Sequence, residues 1–460
     1  MNIALLVAFL LYFGILFLIG IVSYLKTKTS SEFMLGNRGV NYWVTAIAAH
    51  ASDMSAWLFM AFPATIYTQG LEGAWIAIGL VGGMFLSWHF IAQKLRVATE
   101  QYQTVTLSSF LEKRFNDKKG YLGIASSIIL MFFFSFYIGA GLTGMGRVFE
   151  AVFGINYHTG MVIGLGASLL YILCGGFIAL VWNHFFQGMF LLAMIAIVPI
   201  ISLYTLGSLQ PIISYAAHNN ISLSLIPSGN ITTLIEMLNG IVWGVGYLGM
   251  PHVVVNYMGI DNPEHTKRAK YLGMTWLVIS LLSAVAVGLV GMGLTPHLAR
   301  SEMVFVQLVK MLFNPFFGGI ILCAILAATM STIDTQILVA ANSITEDFYK
   351  KIITHKAHDK ELIWVSRCSI ILVALFGYAI GYRNSATVMG LVTYAWSGLG
   401  ASFSPVVVAA LYGKSIKSST ALTALIAGAT VSALWPLLGT PLIPLIPGVL
   451  VSTALLYFKN

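Results

Sequence analysis

The chain has 460 residues, of which 58% are hydrophobic and only 9% charged, against roughly 25% charged in a soluble domain. That balance excludes a water-soluble globular protein, and the net charge of +8 is no sign of nucleic-acid binding, because the basic residues gather in alternate loops. Apolar runs of about 20 residues, each able to cross ~30 Å of hydrocarbon as a helix, recur along the whole length.

In chain order the runs predict about thirteen spans in a single transmembrane domain of residues 1–460, at 3–25, 41–69, 73–93, 121–150, 159–180, 183–207, 231–257, 272–295, 315–344, 363–382, 386–412, 420–436 and 441–458. The first, Ile3 to Tyr24, has almost no basic leader and no convincing small-residue cleavage site, and reads as a retained span rather than a signal peptide. The second is interrupted by Ala51-Ser-Asp-Met-Ser-Ala-Trp57, which sets a carboxylate among small residues in mid-span. A charge there costs roughly 2.5–3.5 kcal/mol on insertion scales, so it faces a cavity and marks an ion or substrate path. Between Val97 and Gly120 the chain turns polar, and Thr106-Leu-Ser-Ser-Phe-Leu-Glu112 carries the signals of a short cytoplasmic helix. Residues 207–230, rich in Ser, Asn and Pro, form a long external loop and the boundary between two halves.

Span seven is also interrupted, by the glycines and proline of Trp243-Gly-Val-Gly-Tyr-Leu-Gly-Met-Pro251. Each interrupted span opens a group of five, at about 41–207 and 231–412, and an odd number makes the two groups enter the membrane in opposite senses. Paired interruptions at corresponding positions point to a transporter site near the midplane; glycines that merely permit close packing are the plainer alternative. In span nine Ala328, Ser331, Thr332 and Thr335 share one helical face. That face offers hydroxyls to a hard cation, and a carbonyl if the helix loosens at Ala328. Hydroxyls bonded to their own i−4 carbonyls are the plainer reading, but Asp334 adds a second intramembrane carboxylate.

The basic residues set the orientation. One group of loops carries Lys26, Lys28, Arg38, Lys94, Arg96, Lys113, Arg114, Lys118, Lys119, Lys267, Arg268, Lys270, Lys350, Lys351, Lys356, Lys360, Arg367, Lys414, Lys417 and Lys459; the other has only Arg147, Arg300, Lys310 and Arg383. By the positive-inside rule the rich loops are cytoplasmic, the N-terminus outside and the C-terminus inside, in the plasma membrane (bacterial inner membrane). Cys174, Cys323 and Cys368 lie far apart without CxxC spacing and read as small packing residues.

The same segments carry a resemblance. Ala51 to Trp57, the Trp243-to-His252 run and Ile325-Leu-Ala-Ala-Thr-Met-Ser-Thr332 resemble the sodium:solute symporter family and, within it, its sodium/proline members. Phe33-Met-Leu-Gly-Asn-Arg38, Trp75-Ile-Ala-Ile-Gly79, Ser343-Ile-Thr-Glu-Asp347 and Thr393-Tyr-Ala-Trp-Ser397 extend the likeness in the family's order. The resemblance implies an all-α polytopic membrane protein with a LeuT-like five-plus-five inverted-repeat core, flanked by helices 3–25, 420–436 and 441–458. It implies import of a small amino acid, proline first, driven by sodium as coupling ion through alternating access, with no organic cofactor and no enzymatic activity. For sodium it implies the carbonyls of Ala51, Met54 and Ala328 and the hydroxyls of Ser331 and Thr332, beside the Asp53 carboxylate; Asp334 and Thr335 are expected to support ion coupling. For the substrate it implies Ser55, Trp57, Tyr137, Trp243, Tyr247 and Pro251. Trp243 and Tyr247, four apart, can share a face as an aromatic wall and a cation–π partner for an ammonium group. One copy of the chain in the lipid bilayer is the expected working unit, a monomer without nucleic-acid partners.

Several positions depart from the proline members. Ala56 stands where they have glycine, and Met250 where they have glutamine. Relatives often carry an aspartate at His184, whereas Asp334 replaces a hydroxyl residue, which suggests a second cation site whose carboxylate has moved from span six to span nine. The alternative makes His184 a boundary histidine bonded to water or a carbonyl. His50 is either a proton relay or part of a polar cavity wall, and Arg38 either pairs with a carboxylate in a gate or anchors the cytoplasmic mouth. Gly139-Ala-Gly-Leu-Thr-Gly144 spells GxGxxG, but no strand precedes it. The rival readings are sodium- or proton-driven symport of pantothenate, a sugar or another amino acid, a channel, and a membrane sensor, which needs a signalling domain where this chain stops at Asn460.

Overall fold

The computed structural model describes residues 3–24, 29–226, 229–353, 358–413 and 416–458. Lys26, Lys28, Lys356, Lys414 and Lys459 of the basic set lie outside the described residues, and of Cys174 only the backbone is described. The regular structure is helical apart from an isolated bridge between Val40 and Ile260.

The first half runs α1 (Ile3–Tyr24), α2 (Ser30–Leu35), α3 (Tyr42–Ala51), α4 (Phe62–Gln69), α5 (Trp75–Leu86), α6 (Gln93–Gln101), α7 (Leu107–Arg114), α8 (Tyr121–Phe153) and α9 (Tyr157–Leu206). After α10 (Gln210–His218) come α11 (Ile231–Trp243), α12 (Pro251–Gly259), α13 (Thr266–Leu294), α14 (Val304–Leu312), α15 (Pro315–Ser343), α16 (Asp359–Gly381), α17 (Val388–Tyr412), α18 (Ser418–Leu434) and α19 (Leu445–Phe458). Side-chain oxygens start many of them, as N-caps must: Asn41 before α3, Thr106 before α7, Asn230 before α11, and Asn314 before α15 with Pro315 in its first turn.

Ten helical stretches among the described residues are long and apolar enough to cross a membrane, so the expected thirteen is not reached by that measure. Three differences account for the gap. Span two breaks after ten residues of α3, and its second part runs on into α5 and α6. Spans five and six are joined in α9, where the break falls at Gly176 (φ 54°) rather than near residue 181. Only glycine suits that left-handed turn, and a Cβ there would come within 2.5 Å of the Phe33 carbonyl oxygen. The last expected span is the 14-residue α19. The short helix α7 falls where expected, whereas α10 and α14 occupy stretches read as loop.

Small residues let the helices touch backbone to backbone. Gly79 and Gly83 of α5 meet Gly240 and Gly244 at the end of α11, each pair four residues apart, and a Cβ on any of the four would run into the opposing main chain. The GxGxxG of α8 has the same use: Gly139 receives Ile380, Gly141 receives Ile333 and Thr329, and Gly144 faces Ala56. Outside this buried core, α1 presents Leu10, Leu11, Phe17 and Leu18 outward, as a lipid-facing helix does.

Candidate functional site

Both interrupted helices break where the sequence suggested. The α3 helix stops at Ala51, residues 52–55 are irregular, and the chain resumes as a π-helical turn at Trp57–Ala61. In the second half α11 ends at Trp243, tightens into a 3-10 turn at Gly244–Leu248, and restarts at Pro251, whose missing N–H suits a first helical position. Irregular backbone inside a membrane is tolerated only where its polar groups find partners, and here side chains supply them. The Ala51 carbonyl accepts from Ser331 Oγ at 2.7 Å, and that of Asp53 from Trp57 Nε1 at 3.0 Å. Across the second break the carbonyl of Trp243 accepts from Trp396 Nε1 (2.9 Å), that of Gly246 from Ser404 Oγ (2.9 Å) and that of Tyr247 from Ser87 Oγ (2.8 Å). Asn256 Nδ2 ties the two breaks, donating to the His252 carbonyl at 3.1 Å and to Ser52 Oγ at 3.3 Å.

The side chains at the breaks converge on Asp53, which is fully buried. One carboxylate oxygen accepts from the Tyr247 hydroxyl; the other has no hydrogen-bond partner among the described residues and stands 3.6 Å from His252 Nε2. The Tyr137 ring lies edge-on to His252, with centroids 5.7 Å apart, and its hydroxyl has Ser55 and Trp57 as polar neighbours. Trp396 completes the wall, 5.0 Å from the Tyr247 ring and 6.4 Å from that of Trp243. Ser55 and Trp57 belong to the same buried break, Ser55 Oγ accepting from the Trp57 amide at 3.4 Å. Pro251, at the start of α12, lines a cavity of about 20 Å³ with Thr106, Ser108, Leu130 and Asn342. The sequence reading missed His252 and Trp396. Both stood in quoted strings, and the signal for His252 was its place directly after the Met-Pro break.

Beside this cluster four oxygens gather. Ser331 Oγ lies 2.7 Å from the Ala51 carbonyl and 3.0 Å from that of Ala328, and Thr332 Oγ1 lies 3.2 Å from the latter. The α15 helix runs unbroken through Ala328. Thr335 turns its hydroxyl back to the Ser331 carbonyl at 3.0 Å. Met54 is buried in the break, its amide bonded to the His50 carbonyl at 3.1 Å. Asp334 is buried one turn on from Ser331; neither of its oxygens makes a hydrogen bond among the described residues, and Ser168 and Tyr12 are its polar neighbours. His184 is buried, and neither of its ring nitrogens has a hydrogen-bond partner among the described residues. His50 accepts from Trp88 Nε1 at 3.2 Å and lies between the rings of Trp88 and Trp276.

The core is fastened at both ends. Near the start of α8, Thr106 and Ser343 donate to Asp347, and Lys351 bridges Glu112 and Asp347. Arg38, read either as half of a gate ion pair or as an anchor of the cytoplasmic mouth, binds the carbonyls of Thr99 (3.0 Å) and Thr104 (2.6 Å). Near the other end of α8, Arg147 pairs with Glu302 at 2.5 Å and donates to the Ala386 carbonyl at 2.9 Å, while Glu302 accepts from the Val388 amide.

Residues 33–428 match the sodium:solute symporter family. A relative named sodium/proline symporter 2, from Staphylococcus saprophyticus, is 38% identical over 98% of this chain and 91% of its own. The high-affinity proline transporter PutP of Bacillus subtilis is 37% identical over 96% of this chain and 95% of its own. Among solved structures, a Na+-coupled sialic acid symporter in a substrate-bound outward-open state is similar with a TM-score of 0.86 at 16% identity, covering 100% of this chain and 98% of that one. MhsT in complex with L-phenylalanine follows at 0.58 and 14%, covering 91% and 98%. At such low identity these likenesses speak for the fold, which is the LeuT-like one expected. The family match and the near full-length identity together mean that this chain belongs to the sodium:solute symporter family, whose members are multi-pass membrane transporters and not enzymes.

Proposed function

We propose that the protein is a sodium-coupled importer of L-proline that works by alternating access in the plasma membrane. One observation carries the reading: the break that holds Asp53 ends, at Ala51, on the hydroxyl of Ser331, so the aromatic pocket and the oxygen cluster share one strip of irregular backbone. The names of the relatives supply the substrate, and the ring of Tyr137, Tyr247 and Trp396 suits an apolar ring that bears a charged nitrogen.

Sodium takes the oxygens of Ala51, Met54, Ala328, Ser331 and Thr332, and replaces the hydroxyl hydrogens that now link four of them. Asp53, with one oxygen held by Tyr247, supplies negative charge two residues from Ala51. Ser55, Trp57, Tyr137, Trp243 and Tyr247 form the substrate wall, with His252 and Trp396 added to the expected set and Pro251 kept as the helix start. Binding of ion and solute is reciprocal, each raising affinity for the other by the same factor. The repeats 41–207 and 231–412 rock against each other, while Arg147–Glu302 and the Lys351 cluster open alternately. The lysine-rich loops face the cytoplasm, with the N-terminus outside and the C-terminus inside, and one copy suffices.

The test is uptake of labelled amino acids, pantothenate and sugars into proteoliposomes, with an inward sodium gradient, a proton gradient or neither. Proline accumulation that requires sodium is expected. Preference for another solute, or accumulation driven by protons without sodium, overturns the reading.

A further inference from the structure

At the lysine-rich end of the core is a cavity of about 640 Å³ that the transport site does not use. It lies where α7, the start of α8 and the turn Ile344–Ile353 meet, and five lysines line it against three carboxylates. The carboxylates are committed internally: Lys351 sits 2.5 Å from Glu112 and 3.1 Å from Asp347, and Lys350 is 2.9 Å from Glu346. Lys113, Lys118 and Lys119 have no carboxylate partner among the described residues. Lys113 donates to the Tyr102 carbonyl at 2.9 Å, and Lys119 stands 5.7 Å from the centre of the Tyr121 ring. Nearby Asp117 has each carboxylate oxygen bonded to a backbone N–H, of Lys119 at 3.2 Å and of Leu122 at 2.7 Å. Positive charge is therefore left over in a cavity of ligand size (~300–1,000 Å³), where low-dielectric walls focus its field.

The surroundings say what kind of anion fits. The cavity reaches the apolar side chains of Val105 and Ile124. Tyr121 and Ile128, at the start of the α8 span, are 52% and 57% exposed, so the lipid-facing surface begins within two turns of the cavity. A basic hollow at the headgroup level of a membrane helix suits a phosphate that carries an acyl tail. We propose that this cavity binds the phosphate headgroup of an anionic phospholipid, which ties α7 and α8 to the 344–353 turn and favours the form closed at this end. The binding claim stands apart from the proline reading; only its effect on transport rests on it.

The experiment uses the full-length protein in phosphatidylcholine vesicles with and without phosphatidylglycerol, comparing the native chain, the triple variant K113Q/K118Q/K119Q, and a charge-matched control, K267Q/R268Q/K360Q. Labelled phosphatidylglycerol retained through purification should fall at least about tenfold in the triple variant and stay near the native level in the control. Phosphatidylglycerol should also change the uptake rate of the native chain but not of the triple variant. Equal retention in the native chain and the triple variant overturns the proposal, as does an equal fall in both variants, which marks a diffuse surface charge effect. Inorganic phosphate that displaces the lipid at millimolar concentration identifies a site for soluble phosphate and overturns the lipid assignment. If lipid retention follows the variants but proline is not transported, the functional reading alone fails.

Discussion

The Tyr247 hydroxyl donates to the Asp53 carboxylate, so the two interrupted helices are joined by side chains that each stand inside an interruption. A hydrogen bond to a charged group is worth ~1.5–3 kcal/mol, and Tyr247→Phe is expected to lower sodium-driven uptake at least about tenfold. Asp53→Asn, which keeps the shape but removes the charge, should lower it further and weaken the response to sodium. Tyr257→Phe is the control, because Tyr257 bonds Ser87 and Met84 rather than a carboxylate. Uptake at saturating and limiting sodium separates the three; equal losses in Tyr247→Phe and Tyr257→Phe would deny the Asp53 bond a specific role.

Ser331→Ala removes a hydroxyl that reaches carbonyls on two helices, those of Ala51 and Ala328. The half-saturating sodium concentration should rise about tenfold, and proline affinity at fixed low sodium should fall, because the coupling is reciprocal. Thr335→Val should change either quantity less than about threefold, since that hydroxyl only turns back on its own helix. Equilibrium binding of labelled proline across a sodium series checks both values.

Gly244→Ala would drive a methyl into the Gly79 carbonyl and the Gly83 backbone. Overpacking of this kind costs ~1–3 kcal/mol, which lowers Tm by about 1–3 °C for a chain of this length. Gly82→Ala, one residue from the seam and with open space at its Cβ, should be neutral. Thermal denaturation of purified variants in detergent reads the contrast.

The Arg147–Glu302 pair has side chains only 9% and 14% exposed, so either charge alone is poorly solvated. Arg147→Gln and Glu302→Gln should each destabilise the protein, and the double variant should be no worse than the poorer single. A double-mutant cycle on unfolding should return a coupling of about 1–3 kcal/mol. A coupling near zero would mean that the carbonyl of Ala386 and the amide of Val388 hold this end without the ion pair.

Much of the site was legible because a membrane makes certain residues expensive. A carboxylate at Asp53 and a Gly/Pro run in Gly244–Pro251 have few physical excuses in a span, and both mark real breaks. The hydroxyl face of α15 was legible from spacing alone. Trp396 was not, because it sits in an unbroken helix and its part depends on where the distant Trp243 carbonyl falls. Pro251 was legible as a helix start, since its missing N–H suits a first helical position. The turn at Gly176 hid among many glycines, and only the close Phe33 carbonyl distinguishes it. For Arg38 two readings stayed open, because sequence reveals its charge but not the two carbonyls that receive it.

Ala56, in the first break, has its methyl against Gly144 of α8: a Cβ at position 144 would lie 2.7 Å from that of Ala56. The extra carbon is thus spent on the seam between two helices. Positions 56 and 144 share room for one methyl group, and whichever holds it obliges the other to remain glycine. Exchanging alanine and glycine between them is the conservative change, whereas either position altered alone leaves a void or a clash. A mutant library aimed at substrate range should treat the two as one locus, and drift along this lineage should show them changing together.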